Sequence, residues 1–407
     1  MRPLNSKGQP GVSPFLLQTI DYLAEQEGVP RHRLTQAGLQ LSRLFTKERA
    51  SLSHPYLDDK AYAVAYLQYF LPINLSKIQV LLDEMPQPSC VEPGREQFSV
   101  LDLGSGQGTG ALAVLDWWHR RQSACAGALS VVAVDIAQGA LRQAERLWDR
   151  YCRVAGITSA MLQAFEGDLE RSTKRFWLGQ VKQGTPYDVI LLANCLNEIH
   201  RDAPDPIAAR TSVVSEMLSL LAPHGTMMIL EPALRETSRL LHQVRDRLLQ
   251  AGSCTVYSPC LHERSCPALV NPDDWCHEER AWEAPAVIQQ IDEEVGFIKD
   301  ALKFSYLLLR TDGRTIVTRS PQTFRVVSEL RELKGDTRAW MCNGLGRSEI
   351  GRLDRAQSAT NATWDDCRRG TIVKIEGLKR KDGSALARIP EDAQVQIIRS
   401  VESAKTR

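Results

Sequence analysis

The sequence predicts a mixed α/β protein: a doubly wound parallel sheet with an N-terminal helical module, a cysteine-rich insert and a small β-rich C-terminal module. Three observations support this fold class. Residues 14–85 carry apolar side chains at helical spacing. From Phe98 to about residue 232, short β-branched runs alternate with helical stretches, the pattern of a parallel sheet. Three cysteines then fall within residues 258–279.

The chain divides into four predicted segments. We expect a helical module over residues 1–95, an α/β domain over 96–250, a cysteine-rich segment over 251–303 and a basic β-rich module over 304–407. Pro72 is expected to break the N-terminal helices, and the proline-rich stretch PQPSCVEPG (86–94) to form a loop. The last segment combines short apolar runs with the turn signals TDGR, LKGD and KDGS.

Composition indicates a globular protein without a membrane anchor. Of the 407 residues, 43% are hydrophobic and 24% charged, values that favour neither disorder nor a fibrous repeat. No apolar run approaches the roughly 20 residues needed to cross a bilayer. The N-terminal stretch lacks the apolar core of a secretory signal. We therefore expect a monomeric cytoplasmic protein that does not contact membranes.

Charge is distributed unevenly along the chain. Residues 301–407 contain 21 Lys and Arg against 13 Asp and Glu, whereas the preceding 300 residues contain 29 against 36. This asymmetry indicates a C-terminal module that faces a polyanion such as RNA, although a solvated surface would give the same count. The candidate phosphate contacts are Arg331, Lys334, Arg338, Arg352, Arg355, Arg368, Arg369, Lys374, Lys379, Arg380 and Lys381. Trp340 and Trp364 are candidates for base stacking or for core packing.

A glycine-rich turn, LDLGSGQG, follows the first predicted strand. Gly104, Gly106 and Gly108 remove side chains where the backbone turns and approaches a ligand. The spacing G-x-G-x-G lacks the G-x-x-G step of dinucleotide sites, and Asp102 precedes it within the strand. This arrangement resembles class I S-adenosylmethionine-dependent methyltransferases. The resemblance implies S-adenosylmethionine as cofactor, with Asp102 and the three glycines at its site.

Two further acidic residues extend this resemblance. Asp135 ends the predicted strand VVAVD, and Asp168 lies in EGDLE. By position, the resemblance implies that Asp135 accepts both ribose hydroxyls and that Asp168 contacts the adenine amino group. The residues alone leave another interpretation open, in which these acids cap loops and strand ends.

The fourth predicted strand ends in ANCLNE, where this fold presents groups to a methyl acceptor. Asn194, Asn197 and Glu198 are the candidate catalytic residues. The Asn/Asp-Pro-Pro-aromatic motif of base-amine methylation is not present in this stretch. Cys195 has the chemistry of a nucleophile that attacks a cytosine ring, but it lacks the preceding proline of that pattern. We interpret Cys195 as a packing residue.

The clustered thiols indicate a metal site. Cys260, Cys266 and Cys276 have the spacing C-x5-C-x9-C, which differs from the C-x2-C knuckles of zinc ribbons. Iron–sulfur clusters are usually held by four Cys thiolates that come from separate segments. The downstream candidates for a fourth ligand are Cys342 and Cys367.

The motifs around these cysteines resemble a particular family. The stretches PCLHERSCP and WCH, followed by FRVVSE (324–329) and a Lys-Gly pair before Cys342, are similar to the methyltransferase-like small-ribosomal-subunit proteins of bacteria and mitochondria. The similarity extends from AYAVAYLQYFLPINLSK to GTIVKIEG. It implies a class I methyltransferase fold, association with the small ribosomal subunit and its rRNA, and a [4Fe-4S] cluster. By position, the ligands of that cluster are Cys260, Cys266, Cys276 and Cys342. Zinc remains the alternative metal, and His262 and His277 are candidate hydrogen-bond donors to the cluster or alternative zinc ligands.

Two functional hypotheses follow. In the first, the protein is an S-adenosylmethionine-dependent methyltransferase that acts on small-subunit rRNA. In the second, it is a non-catalytic ribosome assembly factor in which the metal site is a structural crosslink. Radical chemistry is disfavoured, because the C-x3-C-x2-C signature is absent from the sequence.

Overall fold

The computed structural model describes residues 11–49, 56–86, 97–121, 127–171, 176–296, 300–380 and 386–401. Nearly all of the predicted loop 86–94, together with Lys381, lies outside these ranges. The chain forms two compact units. The first comprises residues 1–202, 216–230 and 282–302, and the second comprises 203–215, 231–281 and 303–407. The division into four segments stays a prediction.

The N-terminal part of the first unit is helical. Its helices are α1 (Pro14–Gln26), α2 (Arg31–Thr46), α3 (Lys60–Ala65) and α4 (Leu71–Glu84). Helix α1 begins where the Ser13 hydroxyl accepts a hydrogen bond from the Leu16 N–H at 3.3 Å, a typical N-terminal cap. Pro72 lies in the first turn of α4, where the missing N–H is tolerated. A π-helical turn (Tyr66–Phe70) joins α3 directly to α4, so the helical stretch continues through Pro72 and the predicted break is wrong.

A parallel sheet forms the rest of the first unit. Its strands are β1 (Gln97–Leu103), β2 (Ala128–Asp135), β3 (Ala160–Glu166), β4 (Tyr187–Ala193) and β5 (Leu221–Pro232). They pair in parallel in the order β3-β2-β1-β4-β5. The helices that follow β1 to β4 in sequence are α5 (Thr109–Arg120), α6 (Gln138–Ala155), α7 (Phe176–Gln183) and α8 (Pro206–Leu218). Most of α8 falls in the second unit, whereas α10 (Ala286–Val295) belongs to the first.

The central strands are buried on both faces. Six of the seven residues of β4 are buried, as expected of a parallel sheet covered by helices. The strand order reverses between β1 and β4, the switch point at which such sheets bind ligands. The predicted doubly wound α/β fold is confirmed, and its sheet is Rossmann-like.

The second unit contains the cysteine-rich segment and a β-rich module. Helix α9 (Arg235–Gln250) precedes β6 (Thr255–Ser258) and β7 (Glu278–Ala281), both of which pair with β8 (Ala301–Arg310). A further sheet contains β9 (Thr323–Val326), β10 (Arg331–Leu333), β11 (Asp336–Asn343), β12 (Gly346–Leu353), β13 (Ile372–Glu376), β14 (Lys379–Arg380), β15 (Leu386–Arg388) and β16 (Gln394–Arg399). The order is β14-β15-β12-β11-β9-β13-β16, with β10 beside β11.

The predicted β-rich C-terminal module is thus confirmed, with its own sheet beginning at β9. Its apolar core includes Phe324, Met341, Ile350, Trp364 and Cys367. In the described part of the chain, no helix combines the length and apolar character that a membrane span requires.

Candidate cofactor site and cysteine cavity

The glycine-rich turn links β1 to α5 through three left-handed residues. Gly104, Gly106 and Gly108 have φ values of 68°, 52° and 83°, a region that L-residues with a side chain rarely adopt. The Asp135 carboxylate at the end of β2 lies against this turn. Its Oδ2 accepts the Gly106 N–H at 2.7 Å and its Oδ1 accepts the Ala137 N–H at 2.8 Å. The structure therefore brings the predicted turn and the predicted ribose-binding acid together.

Two of the glycines are also required by their neighbours. A Cβ at Gly104 would lie 2.5 Å from the Cβ of Cys195, and a Cβ at Gly108 would lie 2.8 Å from that of Ala144. The Cys195 thiol contacts the carbonyl oxygen of Leu103 at 3.4 Å. Cys195 thus packs closely beneath the turn, in line with its interpretation as a packing residue.

Asp102 lies beneath the same turn and contacts the start of α5. It is 1% exposed, and its Oδ2 accepts the Ala111 N–H at 2.8 Å. Burial, together with the nearby Asp135 carboxylate, raises the pKa of Asp102 to about 7, even though the Ala111 N–H favours the charged form. A Cβ at Gly110 would lie 2.4 Å from Asp102 Oδ1. Gly110, the next glycine after Gly104, Gly106 and Gly108, therefore leaves room for this carboxyl group. The predicted contact between Asp102 and a cofactor stays a prediction.

Asp168 follows β3, the strand next to β2 in the sheet. Its Oδ1 accepts the Glu170 N–H at 2.8 Å, and its Oδ2 lies 3.1 Å from Nε of the exposed Arg171. The carboxylate is partly exposed. Its predicted contact with adenine stays a prediction.

The candidate catalytic residues form a tight turn after β4. Asn194 has φ 59°, a strained conformation of the kind that is common at functional sites. The Asn197 side chain is buried, donates to the carbonyl oxygen of Asn194 at 3.2 Å and accepts a hydrogen bond from Arg49. Glu198 is partly buried beside them. Arg49 was not singled out by sequence, because 148 residues separate it from Asn197.

The four cysteines that the family resemblance selects line one cavity in the second unit. Cys260, Cys266, Cys276 and Cys342 surround a space of about 40 Å³. Cys367, the other candidate for a fourth ligand, is fully buried in the core of the β9–β16 sheet. Within the residues that the structure describes, no group of three or more His, Cys, Asp or Glu side chains is arranged to hold a metal ion.

The sulfur atoms at this cavity influence one another electrostatically. Burial, together with the neighbouring Cys260 thiol, raises the pKa of Cys276 to about 11. Burial also raises the pKa of Cys342 well above its usual range, with contributions from the other three thiols. Four thiolates close together repel one another unless a cation lies between them. A cation bound between them would offset this repulsion.

The two candidate histidines differ in their surroundings. His262 Nε2 lies 3.6 Å from the sulfur of Cys342, and its Nδ1 lies 3.1 Å from the carbonyl oxygen of Arg264. Burial lowers the pKa of His262 to about 4, so the ring is neutral near pH 7. His277 also lines the cavity, but its Nε2 contacts Glu279 at 3.0 Å.

Many basic side chains of the C-terminal module are already ion-paired. The pairs within this module are Arg331–Glu349, Arg338–Asp336, Arg352–Asp365, Arg369–Glu329, Lys374–Glu376 and Lys379–Asp392. Lys334 and Arg355 are exposed and form no ion pair with any described residue. Trp364 is fully buried and donates from its indole N–H to Thr337 at 2.8 Å. It fills the core and does not present a stacking surface, whereas Trp340 is partly exposed.

The sheet order, the glycine-rich turn after β1 and the acid after β2 define an α/β protein with a methyltransferase-like fold. The sequence profile of the family described as "Mitochondrial small ribosomal subunit Rsm22" matches residues 60–349. Because the match covers well over half of the chain, the protein belongs to this family. The family resemblance drawn from the cysteine motifs is confirmed.

Solved structures with some similarity to this chain include the following three. The CcbJ methyltransferase from Streptomyces caelestis is 14% identical, with 39% of this chain and 52% of that chain covered and a TM-score of 0.26. A protein from Listeria monocytogenes described as a class I S-adenosylmethionine-dependent methyltransferase is 12% identical (76% and 90% covered, TM-score 0.35). TrmN from Thermus thermophilus is 20% identical (44% and 45% covered, TM-score 0.27). This chain thus spans about half the length of CcbJ and TrmN. No curated protein matches it in sequence.

Proposed function

We propose that the protein binds S-adenosylmethionine, docks to the rRNA of the small ribosomal subunit and methylates it, and that its cysteine cavity holds a [4Fe-4S] cluster. The main supporting observation is the Asp135 carboxylate against the glycine-rich turn, in a member of a small-subunit family. This combination supports a nucleoside-binding protein that acts at the ribosome. The proposed partner is the small subunit, bound through its RNA.

The cofactor half of the proposal rests on Asp135. The backbone N–H groups of Gly106 and Ala137 each donate a hydrogen bond to one oxygen of this carboxylate and thereby orient it. A carboxylate oriented in this way is an acceptor that suits the two adjacent hydroxyls of a ribose. The absence of a Cβ at Gly106 leaves the backbone open to close approach by the ligand.

The cluster half of the proposal rests on the thiols. Four Cys ligands match the usual requirement of a [4Fe-4S] cluster, and Cys260, Cys266, Cys276 and Cys342 supply them. When bound, such a cluster supplies a crosslink between chain segments and a one-electron redox centre. Thiolates also suit zinc, and the preference for iron–sulfur comes from the family resemblance.

A second candidate function is that of a non-catalytic assembly factor. The hydrogen bonds of Asn197 favour it, because this side chain is held by Arg49 and by the Asn194 carbonyl. Cys195 is likewise occupied by packing against Gly104. In this version the cofactor fold is a docking scaffold and the metal site a structural crosslink.

One experiment separates the two functions. Anaerobically purified protein is incubated with methyl-labelled S-adenosylmethionine and isolated small subunits, and label in the rRNA is measured together with subunit binding. Catalysis predicts incorporation that Asp135→Ala abolishes, while subunit binding is retained. Fully metallated wild-type protein that binds subunits without incorporating label supports the assembly factor. Absence of both label and binding overturns both functions.

The cellular compartment of the protein depends on which ribosome it binds. The family description names the mitochondrial small subunit, whereas the sequence led us to expect the cytoplasm. The cytoplasmic location stays a prediction, and co-sedimentation with ribosomes from each compartment tests it. The predicted monomeric state is checked in the same samples by light scattering.

A further inference from the structure

Helix α9 presents a row of polar side chains to the cysteine-rich segment. Arg239, His242, Arg245 and Asp246 recur at intervals of three, three and one residues, which places them along one face of the helix. All four bond to the segment 262–276. Arg239 donates to the carbonyl oxygens of Ala268, Leu269, Asn271 and Asp274, and His242 Nε2 lies 3.1 Å from that of Cys276. This face of α9 therefore holds a segment that carries two of the four cysteines, Cys266 and Cys276.

Arg245 occupies the central position of this row. Its Nη2 donates to the carbonyl oxygen of His262 at 2.6 Å, and its Nη1 donates to that of Arg264 at 2.9 Å. The adjacent Asp246 accepts the Cys266 N–H at 2.8 Å. The pair thereby holds the loop between Cys260 and Cys266 at both its middle and its end.

The charge on Arg245 requires a partner of opposite sign. The Arg245 side chain is fully buried, and burying a guanidinium group is costly unless it is paired. Asp246 supplies one carboxylate, yet Arg245 Nε has no hydrogen-bond partner among the described residues. Burial alone lowers the pKa of Arg245, but the neighbouring sulfurs of Cys260 and Cys266, together with Asp246, raise it above its usual range. The hydrogen bonds of Arg245 to the carbonyl oxygens of His262 and Arg264 place the guanidinium group against the loop that carries Cys260 and Cys266.

We propose that Arg245 is the positioning and charge-compensating residue of the cysteine centre: it fixes the Cys260–Cys266 loop through two carbonyls and places a buried positive charge beside the thiolates. This inference rests on the proposed cluster. Four thiolates around a [4Fe-4S] core carry net negative charge, which increases on reduction. A fixed neighbouring cation stabilises the reduced form and raises the reduction potential, since charge and hydrogen bonding near the sulfurs set that potential.

The test compares Arg245→Lys, Arg245→Gln and the control Arg247→Gln in anaerobically purified full-length protein. Arg247 lies on the same helix but is exposed and pairs with Asp205. Iron and sulfide content, the midpoint potential from a spectroscopic redox titration, and S-adenosylmethionine binding are measured for each. Arg245→Gln is expected to shift the potential to more negative values and to reduce iron content at least about twofold. Arg245→Lys keeps the positive charge, so its midpoint potential and iron content are expected to lie between those of Arg245→Gln and wild type. Both quantities in Arg247→Gln are expected to match wild type.

The outcomes separate this inference from the proposed function. Wild-type protein without iron and sulfide overturns the cluster, and the inference with it. A wild-type cluster whose content and potential are unchanged in Arg245→Gln overturns the inference alone. If Arg245→Gln holds no cluster, the iron content of Arg245→Lys decides the question. An iron content in Arg245→Lys as low as that in Arg245→Gln counts against charge compensation. Retention of the cluster by Lys but not by Gln supports it.

Discussion

The sulfur of Cys342 lies 3.6 Å from Nε2 of His262, although 80 residues separate the two in sequence. Cys342 belongs to β11 and His262 to the cysteine-rich segment. Both belong to the second unit, where the four thiols line one cavity. A metal bound there would connect the segment that follows α9 to the β9–β16 sheet.

Removing the metal should destabilise one unit and leave the other unchanged. We expect anaerobic chelation to increase amide hydrogen exchange in residues 258–279 and β11 by about tenfold or more, equal to about 1.4 kcal/mol of local stability. Exchange in β1–β4, which lie in the first unit, serves as the internal control. Equal loss of protection in both units would contradict a local crosslink, as would no change at all.

The contact between Gly104 and Cys195 can be tested with a matched pair of substitutions. Gly104 and Gly156 have the same φ of 68°, but a Cβ at Gly156 meets nothing within 4 Å. We expect Gly156→Ala to cost about 1 kcal/mol from the left-handed backbone alone. Gly104→Ala should cost about 2–4 kcal/mol, because overpacking against Cys195 is added. Chemical denaturation measures both, and equal costs would show that the contact with Cys195 is unimportant.

The buried carboxyl group of Asp102 predicts a pH dependence of stability. Its pKa is raised to about 7 in the folded protein, against about 3.9 in an unfolded chain. The stability it contributes is fully present below about pH 4 and is lost as pH rises through 7, because the unfolded chain releases its proton first. The free energy of unfolding of Asp102→Asn, measured relative to that of wild type, should therefore rise by about 2–3 kcal/mol between pH 5 and pH 8. Denaturant unfolding at both pH values measures it, and a constant difference would refute the assigned shift.

Two exposed cations are the clearest candidates for RNA contacts. Lys334 and Arg355 lie on the surface of the C-terminal module without ion pairs to described residues. We expect Lys334→Ala to weaken small-subunit binding and to reduce the slope of log affinity against log salt by about one. The control is Lys379→Ala, whose ammonium group already pairs with Asp392. If Lys334→Ala binds small subunits as tightly as Lys379→Ala and wild type at every salt concentration, this surface does not contact RNA.

Sequence patterns predicted the fold because strand, turn and helix signals are local. The β2 end and the glycine-rich turn were predictable for that reason, and they are adjacent in the structure. The interaction of Arg49 with Asn197 was not predictable, because neither residue belongs to a motif and they are far apart in sequence. The contacts of α9 were also missed, since Arg239 and Arg245 bond to backbone carbonyls, which leave no trace in residue identity. Cys342 could be chosen over Cys367 only through the family resemblance.

The most direct test of the account is iron and sulfide analysis with an absorption spectrum of the anaerobically purified protein and two cysteine variants. Wild type should contain about four irons per chain and show the broad visible absorption of a cluster. Cys342→Ala should lose most of both, whereas Cys367→Ala, which removes a fully buried thiol in the same unit, should retain them. Retention of the full cluster by Cys342→Ala, or wild-type protein that binds no iron, would contradict the claim that these four thiols hold one centre.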